Sequence, residues 1–316
     1  MIVPSQIPYR VREVEKLSPT LKRFYLEAAD GGALPPSSAG AHVVLTIPGV
    51  HRTWKNAYSI SSTPGERESY SIIVRRVLNS RGGSVQMHEG VTAGDVINGA
   101  VPHNLFALSR AGRKHVLIAG GIGITPLLSH AAALHGGEAP FELHQFSSKA
   151  EIPVFERLLG VYAGHAQVHG PGGEAEAVEA ILTHQPLGAH VYVCGPPLLI
   201  ELVVRTAEQL GWPTAAIHHE SFGDHSAGAP FTAMLAKSKI EIAVGPDQSL
   251  LEAIEAVGVQ APYLCRGGAC GQCMTRVIAG EPDHRDDVLT PEERAAGELI
   301  MTCVSRAKTP RLVLDL

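Results

Sequence analysis

Three cysteines fall within the nine residues Cys265-Arg266-Gly267-Gly268-Ala269-Cys270-Gly271-Gln272-Cys273, and no other feature constrains this chain as tightly. The spacing is C-x4-C-x2-C, and Cys303 follows after 29 further residues. This is the ligand spacing of a plant-type [2Fe–2S] cluster, which needs four thiolates, two for each iron. Small residues between the cysteines let the backbone wrap closely and aim N–H groups at the sulfurs. A tetrahedral zinc site is the alternative. Zinc sites usually pair two C-x2-C units, however, and only one is present here. A Rieske centre needs two His beside two Cys. No Cys here lies two residues before a His, so the chain is not itself a Rieske oxygenase.

The chain has 316 residues, enough for two or three domains. With 45% hydrophobic and 18% charged residues it can build packed cores and is not expected to be disordered. The net charge is −5 and no basic stripe stands out, which argues against a nucleic-acid binder. The longest apolar stretch, Val116 to Leu134, is broken by Gly, Pro and His, so it reads as strand, loop and helix rather than a membrane span. The stretch up to Lys16 shows no secretory signal. Five cysteines without such a signal imply metal or redox chemistry in a reducing, cytoplasmic setting rather than disulfides.

The pattern changes twice along the chain. Residues 1–108 hold six short runs rich in β-branched residues, separated by turns such as Pro64-Gly65 and Arg81-Gly82-Gly83, which predicts a small antiparallel β-barrel. Residues 109–226 alternate strand and helix, which predicts a doubly wound α/β domain with a parallel sheet. Residues 227–316 begin with a hairpin, Phe231–Leu235 and Lys239–Val244, then a short amphipathic helix, then the cysteines: an α+β ferredoxin-like unit. Gly223–Ala229 reads as the linker between the last two.

Three further motifs carry weaker signals. Gly120-Gly121-Ile122-Gly123-Ile124-Thr125-Pro126 follows a strand and opens a helix. Gly permits a tight turn and close approach, and a helix N-terminus offers donors to a pyrophosphate. The string is not G-x-G-x-x-G, and a packing turn is the competing reading. Cys194-Gly195-Pro196 ends a strand; alone it reads as a buried structural thiol, but the carboxyl end of a parallel strand is where ligands bind. Asn56-Ala57-Tyr58-Ser59, with Arg75-Arg76 and Arg81-Gly82-Gly83-Ser84, offers an aromatic ring and phosphate donors. Taken alone, such residues are more commonly a barrel tyrosine and solvated arginines. His218-His219-Glu220 lacks metal-ligand spacing on a helix, and Asp283–Asp287 reads as a solvated acidic face or a docking surface.

In this order the four strings resemble the phthalate dioxygenase reductase family, over essentially the whole chain. Asn104-Leu105-Phe106-Ala107-Leu108 and the C-terminal block look most like carnitine monooxygenase reductase subunits. The resemblance implies FMN in the barrel, NADH or NADPH in the α/β domain, and [2Fe–2S] at the C-terminus. It implies that Tyr58 and Ser59 meet the flavin, that Ile73, Val74 and Arg75 line it, and that Gly82, Gly83 and Ser84 meet its phosphate. Gly121 through Pro126 would hold the dinucleotide, Cys194 would sit by the nicotinamide, and Phe222 of Glu220-Ser221-Phe222-Gly223 would stack on the flavin. The family usually has Arg where Asn56 stands, so Arg75, Arg81, Ser59, Ser84 and the glycine amides are expected to share the phosphate.

Electron counting supports the same assembly. Nicotinamide gives a hydride, one cluster takes single electrons, and a flavin does both. Plant-type clusters lie near about −400 mV and Rieske centres at about −150 to +300 mV, so transfer between them is downhill. The sequence therefore predicts a soluble reductase feeding a separate Rieske oxygenase, with no catalytic acid or base. An iron–sulfur carrier or sensor without NADH-dependent activity, and an electron-transfer subunit of a flavin dehydrogenase, are the rivals. The second strand of the α/β domain ends at Phe146-Ser147-Ser148-Lys149, with no Arg for a 2′-phosphate, which favours NADH.

Overall fold

The fold was taken from a computed structural model, which describes residues 6–50, 52–137, 139–223 and 226–316. Three large sheets occupy three consecutive stretches of chain, and a small two-stranded sheet accompanies the third.

The first comprises β1 (Gln6–Lys16), β2 (Leu21–Ala28), β3 (Ala41–Pro48), β4 (Thr53–Ser59), β5 (Tyr70–Arg75), α1 (Gly83–Gly90), β6 (Val96–Ala100) and the short β7 (His103–Asn104). The strand order is β4-β3-β6-β1-β2-β5, antiparallel throughout, with β7 on β3. A single bridge, Ile60 to Ile72, joins the two edges, so the barrel is nearly closed. Alternation explains the core: Tyr9 and Val11 of β1 point in, between exposed Arg10 and Arg12. β5 is buried on both faces because it serves two cores. Tyr70, Ile72 and Val74 fill the barrel, while Ile73 packs with Leu117 and Ile124 of the next unit.

The second comprises β8 (Lys114–Gly120), α2 (Ile124–His135), β9 (Phe141–Phe146), α3 (Ile152–Leu159), β10 (Ala166–His169), α4 (Glu174–Thr183), β11 (Ala189–Cys194), α5 (Pro197–Gln209) and β12 (Ile217–Glu220). All five strands are parallel, in the order β10-β9-β8-β11-β12. Leu127, Val154 and Phe155 of α2 and α3 cover one face; Val178, Leu182 and Val203 of α4 and α5 cover the other. The chain moves outward from β8 in both directions, so the topological switch lies between β8 and β11, where such folds bind ligands. No helix among the described residues is long and apolar enough to cross a membrane.

The third comprises β13 (Phe231–Leu235), β14 (Ile240–Val244), α6 (Leu250–Ala256), β15 (Met274–Ala279), β16 (Pro282–Asp283), α7 (Pro291–Ala296), β17 (Leu299–Met301), β18 (Arg306–Ala307) and β19 (Arg311–Leu314). The main sheet runs β14-β13-β19-β15-β17, and Leu250, Leu251 and Ile254 of α6 pack into its core.

Four elements depart from the sequence expectation. α1 was expected to be part of a turn; Gly82 takes φ +100° and is itself the N-cap. β10 and α4 lie in a stretch of the strand–helix alternation for which the sequence singled out no element. α7 begins inside the acidic segment on a capping box between Thr290 and Glu293. The acidic face is corrected in one respect: Asp286 is buried, accepts hydrogen bonds from the Val288 and Leu289 N–H groups and from Ser305 Oγ, and holds the chain in place. The expected linker carries close contacts at Gly223 and Ser226, while Asp224 and His225 lie outside the described residues.

Candidate functional site

At the carboxyl ends of β8 and β11 two loops are pressed together. Gly121–Gly123 forms a 3₁₀ turn leading into α2, which starts at Ile124, two residues before the expected Pro126. A Cβ on Gly195 would lie 2.9 Å from Gly120 N and Cα, and one on Gly120 would lie 2.5 Å from Pro196 Cδ. Glycine is required here because backbone meets backbone. Thr125 Oγ1 donates to Ile122 O at 3.1 Å and fixes the turn, and no side chain caps α2. The Ile124 N–H is bonded back to the Gly121 and Ile122 carbonyls of the turn, so what this end of α2 offers an anion is chiefly the positive end of its dipole.

Beside these loops, one cavity of about 420 Å³ is bordered by all three units. β4 lines it with Asn56, Ala57, Tyr58 and Ser59, and β5 with Ile73, Val74 and Arg75. Arg81, Gly83 and Ser84 line it from the start of α1, and Ile122 and Thr125 from the glycine turn. Glu220, Ser221, Phe222 and Gly223 close one side, and Cys265, Gly267 and Ala269 of the cysteine loop another. Gly82 stands behind the wall, where a Cβ would meet Trp54 at 3.4 Å. Gly120, Gly121, Gly123, Ile124, Pro126, Cys194, Gly195 and Pro196 do not line this cavity; they belong to the two loops pressed together beside it. Leu105 lines it from the Asn104–Leu108 string, while His42, Asn79 and Ser80 line it without having been singled out in the sequence; no periodicity or spacing marks these three.

The polar groups are committed in an unexpected way. Arg75 Nη2 lies 2.8 Å from Glu151 Oε1, joining the barrel to the parallel-sheet unit. Arg81 Nη1 lies 3.1 Å from Glu252 Oε2 of α6. Asn56 Nδ2 donates to Tyr58 Oη at 3.2 Å, and a Cβ on Gly83 would come within 2.6 Å of that nitrogen. The α1 N-terminus thus packs directly on Asn56.

Parallel register sets Cys194 opposite Glu220. Cys194 is buried, and burial first, then Glu220, pushes its thiol well above the usual range. Burial first, then Cys265, pushes Glu220 up to about 8, and its Oε2 has no hydrogen-bond partner among the described residues. This carboxyl lines the cavity, where burial favours its protonated form; in the sequence it stands out only within His218-His219-Glu220 and as a neighbour of Phe222.

The cysteines form two pairs. Cys273 Sγ and Cys303 Sγ are hydrogen-bonded at 3.2 Å, and the Cys265 and Cys270 side chains are likewise paired. Among the described residues no three His, Cys, Asp or Glu side chains converge on one ion-sized point. A single zinc wants four ligands around one centre; two bridged irons want two pairs, which is the arrangement present. The hydrogen bond from Cys270, together with the Gly267, Ala269 and Cys270 N–H groups, brings the Cys265 thiol down to about 5. Arg266, Gly268 and Gly271 have positive φ of 54°, 81° and 72°, which turns the loop's amides inward. A Cβ on Gly223 would lie 2.5 Å from Gly267 O, so the end of the parallel-sheet unit rests on the cysteine loop.

Comparison with known proteins agrees with this architecture. Residues 234–308 match the 2Fe-2S iron-sulfur cluster binding domain. The carnitine monooxygenase reductase subunit of Escherichia coli (strain K12) is 40% identical over 97% of both chains. The heme-dependent oxidative N-demethylase beta subunit of Ectopseudomonas mendocina (strain ymp) is 39% identical over 97% of this chain and 98% of its own. The solved structure of phthalate dioxygenase reductase, described as carrying electrons from pyridine nucleotides to [2Fe-2S], superposes with TM-score 0.90 at 33% identity, covering 99% of this chain and 98% of that one. The barrel, the parallel sheet and the paired cysteines follow one another as in that protein, and the chain belongs to the phthalate dioxygenase reductase family of oxygenase reductase subunits.

Proposed function

We propose that this oxidoreductase takes a hydride from NADH onto FMN and sends electrons singly through its [2Fe–2S] cluster to a separate Rieske-type oxygenase in the cytoplasm. One observation carries the reading: a single cavity is lined at once by the barrel strands, by Thr125 of the nucleotide turn and by Cys265 of the cysteine loop. Three redox partners can meet there without a diffusing intermediary.

FMN supplies the conversion between a two-electron donor and a one-electron acceptor. This chain's residues position it. Tyr58, Ser59, Ile73, Val74 and Arg75 line the flavin cavity; Asn56, Ala57, Arg81, Gly82, Gly83 and Ser84 surround its phosphate end; Phe222 covers the ring where nicotinamide must arrive. Gly120 through Pro126, with Cys194-Gly195-Pro196, hold the dinucleotide at the switch point. Cys265 and Cys270 hold one iron, Cys273 and Cys303 the other. The segment after β9 carries no arginine, which favours NADH over NADPH. The units are 1–108, 109–226 and 227–316.

The Rieske assignment rests on redox potential: the cluster's range lies below the Rieske range. The relative whose name specifies a heme-dependent N-demethylase favours a second reading, a haem oxygenase partner. Anaerobic titration decides between them. NADH plus a catalytic amount of this protein should reduce the Rieske centre of an oxygenase, seen by electron paramagnetic resonance. Reduction of a haem acceptor alone, seen in its Soret band, selects the second reading, and failure to reduce either defeats both.

A further inference from the structure

One helix of the iron–sulfur unit grips both flavin-facing segments of the barrel. Glu252 and Glu255 stand a turn apart on α6. Glu252 Oε2 meets Arg81 Nη1 at 3.1 Å and Arg52 Nη2 at 3.7 Å. Arg81 begins the segment that leads into α1. Glu255 Oε1 meets Lys55 Nζ at 3.2 Å, and Lys55 precedes Asn56 on β4. The same oxygen is bound by Arg266, which lies between Cys265 and Gly267. The Arg266 guanidinium also lies 3.9 Å over the Tyr263 ring. One carboxylate thus joins the flavin strand to the cluster loop.

Exposed ion pairs usually contribute little. These differ in sharing: two carboxylates serve four cations, and the Arg81 and Glu252 side chains are only 10% and 12% exposed. They are still within reach of ions. A crevice of about 560 Å³, bordered by Arg52, Lys55, Glu252 and Glu255, opens beside them.

We propose that Glu252 and Glu255 are positioning residues that latch the iron–sulfur unit onto the barrel, and that this latch sets the rate at which an electron leaves reduced flavin for the oxidised cluster. NADH supplies the electrons beforehand as a hydride, whose bond to nicotinamide breaks as one to the flavin forms; in the latched step itself one electron passes from reduced flavin to the oxidised cluster, and no bond is made or broken. The inference rests on the three-cofactor reading above. It predicts that salt, by screening the pairs, separates the two units and slows this one step.

Glu252→Gln removes charge but keeps the capping hydrogen bond from Ser249 N–H, which Glu252 Oε2 accepts at 2.9 Å. The test compares wild type with Glu252→Gln/Glu255→Gln and, from the barrel side, with Arg52→Gln/Lys55→Gln. Small-angle X-ray scattering should show the wild type expanding between roughly 0.05 and 0.5 M salt, and both variants already expanded at the lower value. In anaerobic stopped flow, flavin bleaching by NADH should be unchanged, while cluster reduction at low salt slows about tenfold in both variants and loses its salt dependence. Variants that match the wild type in size and in cluster reduction overturn the latch, as does a wild type indifferent to salt. If the glutamate variants lose iron, the barrel-side pair decides. Flavin that NADH never reduces defeats the three-cofactor reading instead, and scattering still judges the latch.

Discussion

Gly123 and Cys194 meet backbone to backbone: the Cys194 carbonyl stands where a Gly123 side chain would begin, and a Cβ there would also fall 2.7 Å from Gly195 N. Gly123 has an ordinary helical φ of −60°, so space and not conformation demands glycine. Gly123→Ala should force the two nucleotide loops apart. We expect a loss of roughly 1–3 kcal/mol in stability and a raised KM for NADH, with iron content unchanged. Denaturant melts and steady-state kinetics check both.

The cysteine pairs make an analytical prediction. Purified protein should carry about two irons and two acid-labile sulfides per chain. Replacing Cys265, Cys270, Cys273 or Cys303 by Ser should remove both, whereas Cys194→Ala should keep them and slow flavin reduction by NADH. One zinc without sulfide in the wild type would refute the ligand assignment.

Asn56 lines the cavity without a charge, and the guanidinium groups of Arg75 and Arg81 on the same cavity are paired with Glu151 and Glu252. Asn56→Arg should leave FMN affinity equal or higher. A charge-assisted bond of about 1.5–3 kcal/mol corresponds to a gain of up to roughly 100-fold. Equilibrium dialysis measures it. Expulsion of the flavin would show that the contact of Asn56 with Tyr58 and Gly83 matters more than the missing charge.

Acid should unfold the protein through buried imidazoles. Burial, ahead of any neighbour, brings His42 and His130 down from 6.5 to about 4. Between these values the unfolded chain binds more protons than the folded one. The stability they contribute is complete above pH 6.5, falls as the pH drops toward 4, and is constant below. Each should contribute a slope of about 1.4 kcal/mol per pH unit. Urea midpoints across this window test it. His130→Gln, which keeps a donor for the Phe106 carbonyl that Nε2 now meets at 2.7 Å, should lower the slope by about one proton.

What was legible in the sequence was what depends on short spacing. The cysteine ladder, the β-branched runs of the barrel and the strand–helix alternation all repeat within a few residues, and each became the element expected. α1 was hidden because Gly82-Gly83 reads as a turn, when Gly82 in fact starts the helix. α4 was hidden behind Pro171-Gly172-Gly173. Glu220 acquires its burial only through parallel register with Cys194. The pairs of Arg52, Lys55 and Arg81 with α6 bridge about 170 or more positions, and no local pattern announces such partners. The sequence shows the charges of Arg75 and Arg81 but not their counter-charges, Glu151 and Glu252, which only the fold brings beside them.

β19 lies between β13 and β15, so the middle of the iron–sulfur sheet is supplied by its last strand. Chains leave the ribosome in order, and domains generally fold as they emerge. The barrel and the parallel sheet can close while synthesis continues. The third sheet stays unzipped until residue 314 has cleared the exit tunnel. The loop that carries Cys265, Cys270 and Cys273 therefore gains its supporting sheet later than the barrel and the parallel sheet gain theirs.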